Sequence, residues 1–288
     1  MRALAALAAL FLAACHAADA PTAAGPTARA ASAPDGGPQV TPVDLGHVFG
    51  AEGGVGTFVM LDTATGERLV HDTARASERI TPASTSKVFN GLVFLDRGVV
   101  TDVDELYPWD GVERSIRPWN RDHSLRTGTE VSAVWLFQRL AGRVGREGYA
   151  DVFARQPYGN SALSDSLEMS WLDGTWAISA YEQVDFFNAL RRGELAFAPE
   201  HQALTREILP VLGEGDGWRL LGKTGWGLRG SEPDVGWLVG WVERAGGDAV
   251  YAMNVEDAGQ GELDMMRGRL RIVRAALAEL GVLEHDAP

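Results

Sequence analysis

Ser84-Thr85-Ser86-Lys87 sets a hydroxyl and an amine three residues apart, in the form S-x-x-K. Pro82, just before it, suits the first turn of a helix. On a helix, positions i and i+3 share a face, so the hydroxyl and the amine can meet. A serine hydroxyl is a weak nucleophile until a base takes its proton, and a lysine kept neutral by burial is such a base. At a helix N-terminus the Ser84 amide can also stabilise developing negative charge. Alone, the pair equally fits a helix cap beside a solvated lysine. Lys223-Thr224-Gly225, followed by Trp226, offers a cation, a hydroxyl donor and a glycine that lets a ligand approach the backbone. That triplet is weak alone too. Composition joins the two: they hold the only two lysines of the chain, whose other 24 basic residues are arginine. Codon bias explains the arginines, but not where the lysines survive. A buried lysine can lose its proton and arginine cannot.

The 288 residues, 45% hydrophobic and 23% charged, allow one large domain or two modest ones. Acidic residues outnumber basic ones 39 to 26, a net charge of -13, which argues against nucleic acid and anionic membrane surfaces as partners. A single cysteine excludes an internal disulfide and a thiolate zinc site. The histidines are never closer than 24 residues, so no H-x-H or H-E-x-x-H signature exists and no metal is expected. Without a G-x-S-x-G elbow, a Ser-His-Asp hydrolase is disfavoured.

Residues 1–14 read as a secretory signal: Met1-Arg2, then an apolar run to Ala14, too short for the roughly 20 residues of a membrane span. The run ends in Leu12-Ala13-Ala14-Cys15, which resembles a bacterial lipobox. An acylated Cys15 would anchor a periplasmic lipoprotein; cleavage after Ala18 or Ala20 is the rival. The mass of the membrane-extracted protein decides, since a lipoprotein carries diacylglycerol. From Cys15 to residue 41 the Ala, Pro, Thr and Gly content suits a flexible linker. The folded part is expected over 42–288.

Gly56–Leu61 reads as a buried strand, and Thr63-Ala64-Thr65-Gly66 as a turn into Arg68–Val70, making a hairpin. From Ser84, Val88, Leu92 and Leu95 repeat at helical spacing until Gly98. Helices are expected over 134–140, 148–154, 181–191 and 199–212. Strands follow over 219–225, 235–242 and 249–255, and a last helix over 265–280. Strands at both ends with helices between predict an α/β (α+β) fold: one antiparallel sheet built from both termini, with a helical insertion. The site would lie where sheet and helices meet.

Between the lysines come Ser132-Ala133-Val134, Tyr158-Gly159-Asn160 and Trp171-Leu172-Asp173-Gly174. S-T-x-K, S-x-V, Y-G-N, W-x-x-G and K-T-G in this order and at these spacings resemble the class D serine β-lactamases, the oxacillinases, over roughly residues 42–284. Trp119-Asn120, Gln156-Pro157 and Gly236-Trp237 add to the likeness. The resemblance implies the serine β-lactamase/penicillin-binding-protein fold and β-lactam antibiotics as substrates. It implies a Ser84 acyl-enzyme, with Lys87 N-carboxylated by CO2 or bicarbonate as general base in both half-reactions. Beyond that carbon dioxide, no cofactor is implied. Val88, Val134 and Leu172 are candidates to desolvate the amine.

By the same resemblance Trp171 holds the carboxylated lysine through its indole N–H. Ser132 and Lys223 pass a proton to the leaving nitrogen. The amides of Ser84 and Trp226 form the oxyanion hole. Thr224, Gly225, Val134 and Leu172 contact substrate, and Arg269, with Arg267 as its rival, takes the substrate carboxylate. Tyr158 is expected to be structural. Glu168, Asp173 and Glu182 are weaker candidates for a deacylation base. Ser86 departs from the pattern, which has Phe there, and is expected to make the pocket near Lys87 wetter. The alternatives are a penicillin-binding protein or a β-lactam sensor domain, either of which acylates without turnover.

Overall fold

Five residues in a row, Thr57 to Leu61, are buried, and so is every residue from Val235 to Val242. Such strands need cover on both faces. The computed structural model, which describes residues 39–284, supplies it with a seven-stranded sheet between two helical layers. The strands are β1 (Val40–Pro42), β2 (Gly54–Asp62), β3 (Arg68–His71), β4 (Val211–Gly215), β5 (Trp218–Gly227), β6 (Val235–Arg244) and β7 (Ala249–Asp257), in the spatial order β1-β3-β2-β7-β6-β5-β4. The N-terminal β2 therefore lies against the C-terminal β7, with Phe58 opposite Met253. The helices are α1 (Gly46–Gly50), α2 (Thr73–Ser77), α3 (Lys87–Asp96), α4 (Leu125–Glu130), α5 (Val134–Arg155), α6 (Ala180–Arg192), α7 (Pro199–Glu207) and α8 (Gly268–Glu279). All but α1 and α8 belong to the insertion between β3 and β4.

Alternation along the strands divides the core. Val59, Leu61, Val239, Trp241, Val250 and Ala252 point to the inserted helices. Phe58, Met60, Leu238, Val242, Tyr251 and Met253 point to α1 and α8. The first core is rich in rings, with Phe89 of α3 stacked on Tyr158 at 4.9 Å between centroids.

Four expectations are corrected. The sheet is mixed, because β1 runs parallel to β3. That three-residue strand is too short to show alternation in the sequence, and it moves the start of the folded part to Val40, ahead of the linker boundary at 41. The segments 134–140 and 148–154 are two helical stretches, as expected; they follow one another along α5, which breaks at Gly145 with φ 71°. The helix expected to reach 212 ends at Glu207; Pro210 lacks a backbone N–H and disfavours helix in the residue before it, and Val211 turns to pair with Leu221. The last helix begins at Gly268 rather than 265, after a turn in which the Asp264 carboxylate accepts from the amides of Met266 and Arg267. The signal peptide, Cys15 and the linker up to residue 38 lie outside the described residues.

Candidate active site

Ala83–Ser86 form a 3-10 turn that runs straight into α3 at Lys87. Ala83 holds φ at 47°, a left-handed conformation that costs a non-glycine residue free energy and that collects at functional sites. The turn brings Lys87 Nζ to 3.0 Å from Ser84 Oγ. Ser84 is half-buried; Lys87 is fully buried, and that burial pulls its amine from the ordinary 10.5 down to about 7. Burial thus favours the neutral amine, the form in which a lysine can act as a base. Of the apolar candidates, Val88 is buried, whereas Val134 and Leu172 are half-buried. The ring that stands by the amine is Phe137, 5.1 Å from Nζ. It belongs to none of the sequence motifs, although it lies one helical turn beyond Val134.

Ser132 sits in the tight turn between α4 and α5, also with positive φ, 57°. Two indoles hold that turn: Trp119 donates to the Val131 carbonyl (2.8 Å), and Trp135 donates to the Trp119 carbonyl (2.9 Å). Lys223 reaches across from β5, its Nζ donating to Ser132 Oγ and to the Thr224 carbonyl (3.0 Å). Its pKa lies well below the usual lysine range, first because it is buried and then because Lys87 and Arg269 add positive charge. Three basic side chains, Lys87, Lys223 and Arg269, thus act on one another in a chain of net charge -13.

Trp171 is buried, and its indole N–H has no acceptor among the described residues. Its carbonyl accepts from Thr81 Oγ1 (3.0 Å), and the Thr81 carbonyl accepts from the Trp237 indole (2.9 Å). Trp171 is thus tied to the segment just before the nucleophile turn. Tyr158-Gly159-Asn160 closes the loop that carries Trp171. The Asn160 amide donates to the Thr175 carbonyl (2.8 Å), its side-chain oxygen accepts from the Ala177 N–H (3.0 Å), and the Trp176 indole donates to the Tyr158 carbonyl (2.9 Å).

The geometry can be set beside known proteins. Residues 56–275 match the family model described as the penicillin binding protein transpeptidase domain. The chain is 36% identical over 230 residues to β-lactamase OXA-15 of Pseudomonas aeruginosa, covering 79% of this chain and 81% of that one. It superposes on the class D β-lactamase FUS-1 (OXA-85) of Fusobacterium nucleatum subsp. polymorphum with a TM-score of 0.77 at 33% identity, over 83% and 97% of the two chains. The chain belongs to the class D β-lactamases. It also matches the C-terminal domain of the Bacillus licheniformis BlaR penicillin receptor, with a TM-score of 0.79 at 27% identity, over 86% of this chain and 98% of that one.

In this class D β-lactamase the K-T-G strand packs against the nucleophile turn because position 225 has no side chain. A Cβ there would stand 3.0 Å from the Pro82 carbonyl oxygen and 3.1 Å from Thr85 Cγ2. Beyond Leu221, β5 has left β4, so residues 223–227 present their free edge to Ala83–Ser86. Trp226 is exposed, its indole donating to Asp234 (2.9 Å). Arg269 and Arg267 part company. Arg269 is buried, passes across β6 where Gly236 leaves room, and donates to the Gly225 carbonyl; Arg267 is exposed at the start of α8. Burial lowers Arg269 to about 10.

Two of the three rival bases are engaged elsewhere. Glu182 closes the capping box of α6 and pairs with Arg79, and Asp173 accepts from the Thr175 amide. Ser86, where Phe is usual, is fully buried and donates to the Ala83 carbonyl (2.7 Å). Its hydroxyl is turned inward rather than toward solvent.

Proposed function

We propose that the protein hydrolyses the β-lactam amide of penicillins and related antibiotics through an acyl-enzyme on Ser84, with Lys87, carboxylated on Nζ, as general base. The observation that carries this reading is the buried Lys87 amine, lowered to about 7 and 3.0 Å from Ser84 Oγ. The unpartnered indole N–H of Trp171 supports it, since it is a buried donor in need of an acceptor. A carbamate on Lys87 would supply that acceptor and a base stronger in position than a partly protonated amine.

Ser84 Oγ attacks the β-lactam carbonyl carbon and yields its proton to the base at position 87. The amides of Ser84 and Trp226 hold the oxyanion, each such donor being worth about 100- to 1000-fold. As the C–N bond breaks, the Ser132 hydroxyl gives its proton to the leaving nitrogen and is reprotonated from Lys223. The substrate carboxylate binds against Lys223, Thr224 and Arg269, with Val134 and Leu172 on the pocket wall. Its negative charge raises the pKa of Lys223 and so restores the ammonium that burial opposes. The proton taken from Ser84 returns to Lys223 by way of the Ser132 hydroxyl, which frees the base at position 87. Water then attacks the acyl carbon; that base takes its proton and passes it to Ser84 Oγ as it leaves.

A second reading comes from the likeness to the BlaR receptor domain: acylation without turnover. Hydrolysis of a penicillin with and without added bicarbonate separates the two. Multiple turnovers that rise with bicarbonate are expected, together with a 13C signal from the carbamate. Turnover should fall about tenfold per pH unit below about 7, because protonating the Lys87 amine removes both the base and the site of carboxylation. Trp171→Phe, which keeps an aromatic ring and loses the N–H, should need more bicarbonate and accumulate acyl-enzyme. A single stoichiometric burst, insensitive to bicarbonate, would point to a sensor or a penicillin-binding protein and overturn the deacylation assignment.

A further inference from the structure

Two hydrogen-bond relays of the same chemical order converge on the nucleophile turn. In the first, the Tyr158 hydroxyl donates to Gln183 Oε1 (2.9 Å), Gln183 Nε2 donates to Thr85 Oγ1 (2.8 Å), and Thr85 Oγ1 donates to the Pro82 carbonyl (2.7 Å). In the second, the Tyr149 hydroxyl donates to Asn90 Oδ1 (2.7 Å), Asn90 Nδ2 donates to Ser86 Oγ (3.5 Å), and Ser86 Oγ donates to the Ala83 carbonyl (2.7 Å). Each runs phenol to amide to hydroxyl to backbone carbonyl. They end on the two consecutive carbonyls that precede Ser84. All six side chains are buried.

The direction of each relay is set by its chemistry. Burial raises both phenols, so each stays protonated and donates. The amide oxygen accepts, the amide NH2 then faces the hydroxyl oxygen, and the hydroxyl proton is left for the carbonyl. Thr85 and Ser86 lie between Ser84 and Lys87 in the sequence, yet neither has a proton to offer either of them. Helix propensity does not hold Ala83 in its left-handed conformation; the carbonyls on either side of its Cα, fixed by the two relays, do. The first relay also fixes the Pro82 carbonyl where Gly225 approaches, and with it the seam between the turn and the K-T-G strand. The second requires a hydroxyl at position 86, where the class D pattern has Phe.

We propose that the twin relays position the nucleophile: by pinning the Pro82 and Ala83 carbonyls they hold Ser84 Oγ against Lys87 Nζ, and so set the acylation rate. This rests on Ser84 being the nucleophile. Thr85, Ser86, Asn90, Gln183, Tyr149 and Tyr158 are then positioning residues rather than catalytic ones.

The test is the single-turnover acylation rate of the intact protein by a penicillin. It is counted per Ser84 adduct in the peptide map, well below each variant's unfolding temperature. Thr85→Val and Ser86→Ala should acylate about 10- to 100-fold more slowly while still labelling Ser84 to completion. Thr85→Ser and Ser86→Thr, which restore the hydroxyl, should recover most of the rate. Tyr149→Phe and Tyr158→Phe each remove one oxygen at the far end; they should slow acylation less and in the same direction, and they carry the test if the nearer variants do not fold. Wild-type rates in the hydroxyl-free variants, or no recovery in the conservative ones, overturn the relays and leave Ser84 intact as the nucleophile. A wild-type adduct on a residue other than Ser84 overturns the nucleophile itself, and the relays with it.

Discussion

Ser84→Ala should lose at least about 10^4-fold in penicillin turnover and form no penicilloyl adduct. The size follows from the absence of a substitute. The other hydroxyls near the turn are committed: Thr85 to the Pro82 carbonyl, Ser86 to the Ala83 carbonyl. Ser132 Oγ is held as an acceptor by Lys223. Water could attack directly, but it would have to replace a nucleophile already seated 3.0 Å from its base. Stability should change little, because Ser84 is half-buried and its β-carbon remains. Intact-protein mass spectrometry after exposure to a penicillin is the check, with an unfolding curve beside it. A penicilloyl adduct on the folded variant would remove Ser84 from the mechanism.

Lys87→Arg should retain a positive charge and lose turnover by about 100- to 10,000-fold, the usual worth of a general base. Guanidinium stays protonated at any working pH and has no amine for CO2 to carboxylate. It would also bury an unpaired cation beside Phe137, which costs stability. Lys87→Met separates the two effects. It should be as inactive as the Arg variant yet more stable than the wild type in CO2-free buffer. The sign follows from linkage. The amine titrates at 10.5 when exposed and at about 7 when folded, so between these values the unfolded chain binds more protons and the wild type is penalised. The penalty is greatest below pH 7 and fades as pH rises toward 10.5; the advantage of Met over Lys should fade with it. Thermal unfolding at pH 6, 8 and 10 measures this. Wild-type turnover in either variant would end the assignment of Lys87 as base.

The nucleophile turn and the K-T-G strand are legible in the amino-acid sequence because each is a local pattern. S-x-x-K needs only one turn of chain to bring Ser84 and Lys87 together, and the helix that starts there shows its apolar face at helical spacing. The hairpin of β2 and β3, and the strands β5 to β7, are legible for the same reason: their residues alternate or run apolar in place. The short strand β1 and the end of α7 are not. Three residues carry no period, and Val211 leaves the helix for a partner on β5.

By itself, then, the sequence determined the chemical inventory and its order along the chain. That was enough to place the protein among the class D β-lactamases. Only the tertiary structure decided which groups are neutral, strained or without partners. The fall of Lys87 to about 7 comes from burial under α5, whose Phe137 stands far along the chain from the S-x-x-K turn. The bond from Lys223 to Ser132 joins β5 to the turn before α5. The choice between Arg269 and Arg267 depends on which side of α8 meets β6, and two residues of helix turn one side chain inward and the other to solvent. The relays onto Pro82 and Ala83 draw on α3, α5, α6 and the Tyr158 loop at once. Desolvation and hydrogen-bond direction are properties of what surrounds an atom, and the surroundings here are assembled from segments that the chain keeps far apart.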